Sequence, residues 1–348
     1  MSKPSAVRGS LWFLTRRIGA SAVTVFVLVI VVFLMIKAIP GDEAKVAAGE
    51  SASPEQVAAV RHQLGLDKPV IGQLLVFVEH LLHGDLGTSI ATHTTVASGV
   101  AAALPPTLEL VVLAMLLMVL FAFPAAVVSA AHRDRPRDLV TRFSVLTLAA
   151  IPTFWLALEL QNVLAAKWHV FPISGVLSRG IAVPQRTGSV MLDSLLAGNF
   201  AAFSNAFQHF LLPAFVLMIP FASSLYRAFR AELISVFARD HITVARAKGL
   251  PRRLLIRQHV VPNALGPALT ILGIEFGYMI GAAVLVEAIF GINGVGSYMT
   301  TAVANKDTFA VLGCVLVIGV IVVLTNLVVD ILQLLRDPRI RASQTGVS

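Results

Sequence analysis

Asp240 to Pro262 reads DHITVARAKGLPRRLLIRQHVVP, the most basic interruption of an otherwise apolar chain. A short helix is expected over His241 to Lys248, where nothing breaks a helix, with Asp240 as its candidate N-cap. Gly249 stands where a helix end needs a residue tolerant of positive φ, and Pro251 follows just beyond. A second helix is expected from Pro251 to Val261, with Pro262 marking its boundary. Helix, glycine break, helix and proline describe a rigid elbow. The small side chains of Ala245, Ala247 and Gly249 leave its corner accessible to another protein's surface, so the elbow reads as a docking element.

What surrounds the elbow is a membrane protein. Of 348 residues 57% are hydrophobic and only 13% charged, with a mean hydropathy of +0.83; soluble proteins average about 25% charged residues. The single cysteine, Cys314, permits no intrachain disulfide and argues against redox chemistry. The net charge of +8 does not indicate nucleic acid, because the basic residues fall in loops flanking apolar runs.

Six runs are candidate spans, since about 20 apolar residues cross a bilayer. They are Ile18–Ile36, Leu110–Ala131, Phe143–Leu164 (with Glu159 inside), Phe210–Leu225, Ala264–Ile289 (with Glu275 and Glu287) and Thr308–Val329. The first resembles a signal peptide in position, but it is longer than such an apolar region and ends in Ile39-Pro40, so an uncleaved helix is expected. An even number of spans puts both termini on one side. Nineteen of the 27 lysines and arginines lie in the N-terminal segment, the 132–142 turn, the 227–263 loop and the tail. That bias places the elbow, between spans four and five, and both termini in the cytoplasm. The fold class is therefore all-α, integral to the membrane, with six transmembrane helices.

Residues 40–104 return to a soluble-like composition. Ser53-Pro54-Glu55 reads as an N-cap, first-turn proline and acidic first turn, with Gly65 closing that helix near Leu64. A second helix is expected from Pro69 to His83, stopped by Gly84. Its Val70, Ile71, Leu74, Leu75, Val78, Leu81 and Leu82 repeat at helical spacing, so one face is expected against spans or lipid. Fifteen residues are too few to cross.

The elbow resembles the EAA loop of ATP-binding-cassette importer permeases, whose pattern is Glu-Ala-Ala, three residues, Gly, nine residues, Ile-x-Leu-Pro. Aligned on Gly249, the triplet falls on Thr243-Val244-Ala245, and His259-Val260-Val261-Pro262 fills the last slot. The glutamate is absent, so no carboxylate role attaches to Thr243. The wording ARAKGL, Ala245 to Leu250, is similar to the dipeptide, oligopeptide and nickel permease branch. Pro40-Gly41-Asp42, Gly84-Asp85-Leu86-Gly87, Pro105-Pro106-Thr107-Leu108-Glu109-Leu110, Ile151-Pro152-Thr153-Phe154, Val286-Glu287-Ala288-Ile289-Phe290 and Asp337-Pro338-Arg339-Ile340-Arg341 resemble the same branch in order and spacing. Gly291 to Gly296 departs from it, with Asn293 where a proline is usual.

The resemblance implies a non-catalytic permease subunit of an importer for di- or oligopeptides, in the plasma (inner) membrane of a prokaryote. It also implies a homologous second permease, two ATPase subunits and an extracytoplasmic substrate-binding protein. The residues it assigns to ATPase coupling are Asp240, His241, Thr243, Val244, Ala245, Arg246, Ala247, Lys248, Gly249, Leu250 and Pro262. The expected divisions are 1–39 (N-terminus and first span), 40–104 (extracytoplasmic helices), 105–334 (five-helix core) and 335–348 (tail). Nickel, glutathione or another small solute stays open as cargo, as do a secondary transporter and a channel or structural membrane component.

No Gly-x4-Gly-Lys-[Ser/Thr] loop is present, so ATP and Mg²⁺ are expected on a separate polypeptide and no cofactor in this chain. No His-x3-His or Cys-x2-Cys pair suggests a metal; His80 and His83 read as solvated surface. Glu159, Glu275 and Asp330 are costly inside spans. Each either lines a translocation path, with Glu159 and Glu275 the candidates, or bonds between helices, as Asn326 and Asp330 suggest. Gly273 and Gly277 flank Glu275 and would allow close approach of a second permease. Glu287, near the outer interface, is expected to be hydrated. The elbow itself has a second reading, a basic loop against anionic lipid headgroups.

Overall fold

A computed structural model describes residues 3–38, 43–49, 52–63, 66–89 and 91–336. The expected features at Ile39 to Asp42, Leu64, Gly65 and Asp337 to Arg341 lie outside them. The described chain is helical, without a β-strand among those residues. In order the helices are α1 (Lys3–Ala38), α2 (Glu43–Ala48), α3 (Pro54–Gln63), α4 (Val70–Leu82), α5 (Val96–Ala131), α6 (Pro136–Ala150), α7 (Thr153–Leu160), α8 (Val190–Leu196), α9 (Phe200–Phe237), α10 (Asp240–Ala247), α11 (Arg252–Leu255), α12 (Val261–Phe290), α13 (Val295–Ala304) and α14 (Thr308–Arg336). Five segments are long and apolar enough to cross a bilayer: Thr15–Met35, Val96–Ala131, Phe200–Phe237, Arg252–Phe290 and Thr308–Ile331.

The single span expected over Phe143–Leu164 is instead broken. α6 and the helix from Thr153 to Lys167 meet at 93°. Pro152 supplies no N–H and forces its predecessor out of the helical region, and Ile151 accordingly has ψ 129°. The described residues thus hold five candidate spans, or six if the bent pair counts as one.

The core is built by α5 and α9. On α5, Leu110, Ala114, Met118, Ala122, Ala126 and Ala130 recur every fourth residue, giving a narrow, mostly small face. Phe210, Leu217, Leu225, Phe229 and Leu233 of α9 bury themselves against it, and Phe123 stacks on Phe229 with centroids 4.4 Å apart. Small residues at helix contacts are how spans associate where lipid removes any hydrophobic drive. Pro105, Pro106 and Pro124 lie inside α5 without ending it, so the expected 104/105 division falls within one helix.

α1 stands outside this core and packs on α14. Leu28 fills the space beside Gly319, and Arg17 pairs with Asp330 at 3.1 Å. Asp330 therefore joins two helices of this chain, as the bonding alternative anticipates. Val23, Phe26, Val27, Val31, Leu34 and Met35 of α1 form exposed apolar surface. In α3 a capping box closes the N-terminus: Gln56 N donates to Ser53 Oγ at 3.3 Å, and Ser53 N to Gln56 Oε1 at 2.8 Å.

Candidate functional site

The elbow is continuous with α9. That helix ends at Phe237, and α10 starts two residues after Ala238. Its N-cap is Arg239, which makes no side-chain capping bond; Asp240 is the first helical residue and not the cap. Its carboxylate still stands in the first turn, where the helix dipole favours negative charge. A guanidinium has no acceptor for the free N–H groups of a helix start, and the Arg239 side chain instead turns back to Glu232 at 2.8 Å.

The other end closes as a Schellman motif. Gly249 has φ 80°, Gly249 N donates to Arg246 O at 3.0 Å, and Leu250 N donates to Ala245 O at 3.3 Å. Nothing lies within 4 Å of where a Gly249 Cβ would sit; the requirement there is backbone conformation, not space. Ile242 is fully buried and pins α10 to the bundle. His241, Thr243, Val244, Arg246, Ala247, Lys248 and Gly249 are exposed, while Ala245 and Leu250 are half-buried. The predicted coupling residues of α10 thus form one continuous outward ridge around a single buried anchor.

Pro262 does not end the second arm. Pro251 caps α11 from outside, α11 passes into a π-turn over Ile256–Val260, and α12 carries on to Phe290. Proline's missing N–H strands a carbonyl one turn back. The wider π-turn lies across that carbonyl, and just beyond it the Asn263 side-chain amide donates to His259 O at 2.6 Å. The elbow's second arm is therefore the root of a span.

Beneath the corner lies a groove of about 530 Å³ between the elbow (Arg246, Leu250, Arg252) and the 130–135 turn (Ala131, Arg133, Arg135). Arg252 bridges it by donating to Ala131 O. Deeper in, Asp138 of α6 is fully buried and accepts Arg230 Nη2 at 2.7 Å and Nε at 3.1 Å. Ser129 of α5 donates to the same carboxylate and accepts from Tyr226 and Arg230 of α9, each at 2.7 Å. This clamp joins three helices at the elbow's base. In the sequence Arg230 counts only as one more basic loop residue, and its sole hint is an aspartate inside the arginine-rich 132–142 turn.

The opposite end of the bundle is held by other buried carboxylates. Glu287, expected to be hydrated, is fully buried; it accepts Thr107 Oγ1 at 2.6 Å and Ser297 N at 3.0 Å. The loop after α12 folds over it, with Gly294 and Gly296 so close that a Cβ would collide with the carboxylate. Glu109 accepts from Ser189 Oγ and, at 2.7 Å, from Met191 N, fastening α8 to α5. Asp307 holds Ser89 Oγ at 2.5 Å and Ala91 N at 3.2 Å. Asp193, in the first turn of α8, is buried, which opposes its charge. The donors Arg186 N, Thr187 N, Thr187 Oγ1 and Gly188 N outweigh that and hold its carboxyl below the ordinary value.

The two path candidates are not brought together. Glu159 is exposed on α7, whereas Glu275 is buried on α12 and accepts no hydrogen bond among the described residues. Gly273 and Gly277 do permit close approach, but to α14 of the same chain: an added Cβ would lie 2.6 Å from Val329 Cγ2 and 2.9 Å from Val322 Cγ1. No group of three or more His, Cys, Asp or Glu residues is placed to hold a metal among the described residues.

An all-α bundle whose long helices are apolar enough to cross a bilayer defines the chain as a multi-pass membrane protein. The chain belongs to the family described as binding-protein-dependent transport system inner membrane component, whose model matches residues 122–342. The companion N-terminal model matches residues 10–111. It is 38% identical over 312 residues to the probable D,D-dipeptide transport system permease protein of Escherichia coli strain K12, covering 89% of this chain and 92% of that one. It is 36% identical over 333 residues to the di/tripeptide transport system permease protein of Pseudomonas aeruginosa strain UCBPP-PA14, covering 95% and 99%. A glutathione transport system permease protein of Salmonella choleraesuis strain SC-B67 is 29% identical over 329 residues, covering 94% and 98%.

Proposed function

We propose that this chain is the transmembrane permease subunit of an ATP-driven importer, and that it passes di- or oligopeptides received from an extracytoplasmic binding protein across the inner membrane. In this reading a homologous second permease completes the path. Two ATPase subunits carry ATP and Mg²⁺, and the elbow faces them from the cytoplasmic side. The observation that carries it is the α10 ridge, a short helix stopped by the left-handed Gly249 and pinned by Ile242. ATP binding would close the ATPase pair, and each elbow would ride with its ATPase. Because α9 and α12 run directly into the elbow, both spans would tilt with it as rigid bodies. The peptide cargo rests on the relatives named above for dipeptides and di/tripeptides.

Gly249→Val tests the coupling role. A branched side chain at φ 80° costs roughly 1 kcal/mol or more of backbone strain. Insertion and pairing with the second permease should be unaffected. In reconstituted vesicles ATPase binding should weaken, or hydrolysis should lose its stimulation by the loaded binding protein. Full coupling in an intact Gly249→Val complex would sink the docking role.

A second cargo reading is favoured by the glutathione permease relative. Uptake of labelled dipeptide against labelled glutathione by the same vesicles separates the two; nickel and other small solutes enter the same assay as competitors. A secondary transporter is a different class, which would use Glu275 or Glu159 as its coupling group. Uptake driven by an ion gradient without ATP would favour it over an importer.

A further inference from the structure

We propose that α4 is an interfacial helix, lying along the membrane surface at the end of the bundle remote from the elbow, with one aliphatic stripe sunk among lipid acyl chains. Its height is fixed by its neighbours. Phe77 and Leu81 pack on Val32, Leu312 and Leu316, and the Phe77 ring lies 5.8 Å from that of Phe33. Val32 and Phe33 are in the last turn of the apolar run Thr15–Met35, and Leu312 is in the first turns of Thr308–Ile331. α4 therefore sits where two spans reach the edge of the bilayer.

The stripe follows from helical spacing. Ile71, Leu75, Val78 and Leu82 are separated by four, three and four residues, so they share one side. Ile71, Leu75 and Leu82 are 77%, 66% and 82% exposed. At about 100° per residue, that side is about a quarter-turn from the Phe77–Leu81 face. A helix resting beside a bundle at the water boundary needs this arrangement, with one face sideways to protein and the next one down into lipid. In the remaining arc Glu79 is exposed to water, while Gln73 and His80 turn to the chain's own loops, Gln73 Nε2 donating to Leu66 O and Lys68 O and His80 Nδ1 meeting Asp85 Oδ2. With 13 residues, α4 spans about 20 Å, too little to cross a hydrocarbon layer of about 30 Å.

Lipid fits the stripe better than a protein partner does. The exposed apolar side of α1 (Val27, Val31, Leu34, Met35) is bilayer-facing surface at the adjoining height, and the stripe continues it. The stripe is wholly aliphatic, and α4 contains none of the Trp, Tyr or Arg residues that dominate protein-interface hot spots.

The test is spin labelling of Leu75→Cys, Leu82→Cys and Glu79→Cys in the complex reconstituted into phosphatidylcholine–phosphatidylglycerol vesicles, with the nickel chelate present on both sides. Cys314 is fully buried and stays unlabelled, and the unsubstituted complex supplies the background. Labels at 75 and 82 should collide with dissolved oxygen several-fold more than with the water-soluble chelate. The label at 79 should show the reverse, and saturating binding protein should change neither. A label at 75 that meets the chelate as freely as one at 79 would put the stripe in water and overturn the proposal. Loss of both collisions at 75 would overturn it too, assigning the stripe to the second permease if seen in the resting complex and to the binding protein if seen only on its addition.

Discussion

Arg230 shows how unevenly charge contributes in this chain. Its partner Asp138 is fully buried, so Arg230→Ala leaves a desolvated carboxylate facing only Ser129 and the Asp134 N–H, which donates at 3.0 Å. Breaking such a pair costs about 3–5 kcal/mol. Arg133 pairs with Asp134 at 3.2 Å, both more than half exposed, and Arg133→Ala should cost about 0–1 kcal/mol. Thermal unfolding of the purified protein in detergent should show a large drop for the first variant and almost none for the second. Equal drops would mean the clamp is no stronger than a surface pair. At this scale the sequence is legible where backbone chemistry dictates the residue. Gly249 could be placed at a left-handed helix stop because glycine tolerates that conformation without penalty. Asp138 and Arg230 could not be paired, since 92 positions separate them and only the fold brings them together. Glu287 misled for a related reason: its depth depends on a loop folding back over it, which no window of hydropathy reports.

At the scale of elements, apolar runs locate the helices well and their interruptions poorly. Ile151-Pro152 lies in a window apolar enough to cross, yet it turns the chain by 93°. The opposite holds at Pro105, Pro106 and Pro124, which the long α5 carries through. A proline's effect depends on what else can satisfy the freed carbonyl, and neighbouring helices decide that. The α12–α14 contact yields a prediction of the same kind. Gly273→Val should drive α12 away from Val329, since even a Cβ would come within 2.6 Å of it, at a typical overpacking cost of about 1–3 kcal/mol. Adding Val329→Ala should restore much of that stability. A double-mutant cycle on detergent unfolding checks it, and strict additivity would show that the glycine is not there for α14.

At the scale of the molecule, the apolar runs and the most basic interruption among them were legible, and they carried the family. Which sides face partners was not. The glycine pair beside Glu275 is spent on α14 within the chain, so a pattern of small residues identifies close packing without naming the neighbour. Orientation rests on the nineteen-of-27 basic bias, and labelling tests it. Ala91 and Ser235 are exposed at opposite ends. A cysteine at Ala91 should react with an impermeant thiol reagent in intact cells, and one at Ser235 only after permeabilisation. Reaction at Ser235 in intact cells would invert the molecule. The π-turn at Ile256–Val260 has a consequence for how the elbow is phased against the bundle. A π-turn is an α-helix holding one surplus residue, so the flanking turns keep nearly the azimuth they would have without it. Deleting Gln258 should leave α10 aimed nearly as before and uptake largely intact. Deleting one residue from the regular part of α12, such as Ile274, would swing everything upstream by about 100° and abolish uptake. The elbow's aim is thus protected from a single-residue deletion in its own stem and exposed to one deep in the span.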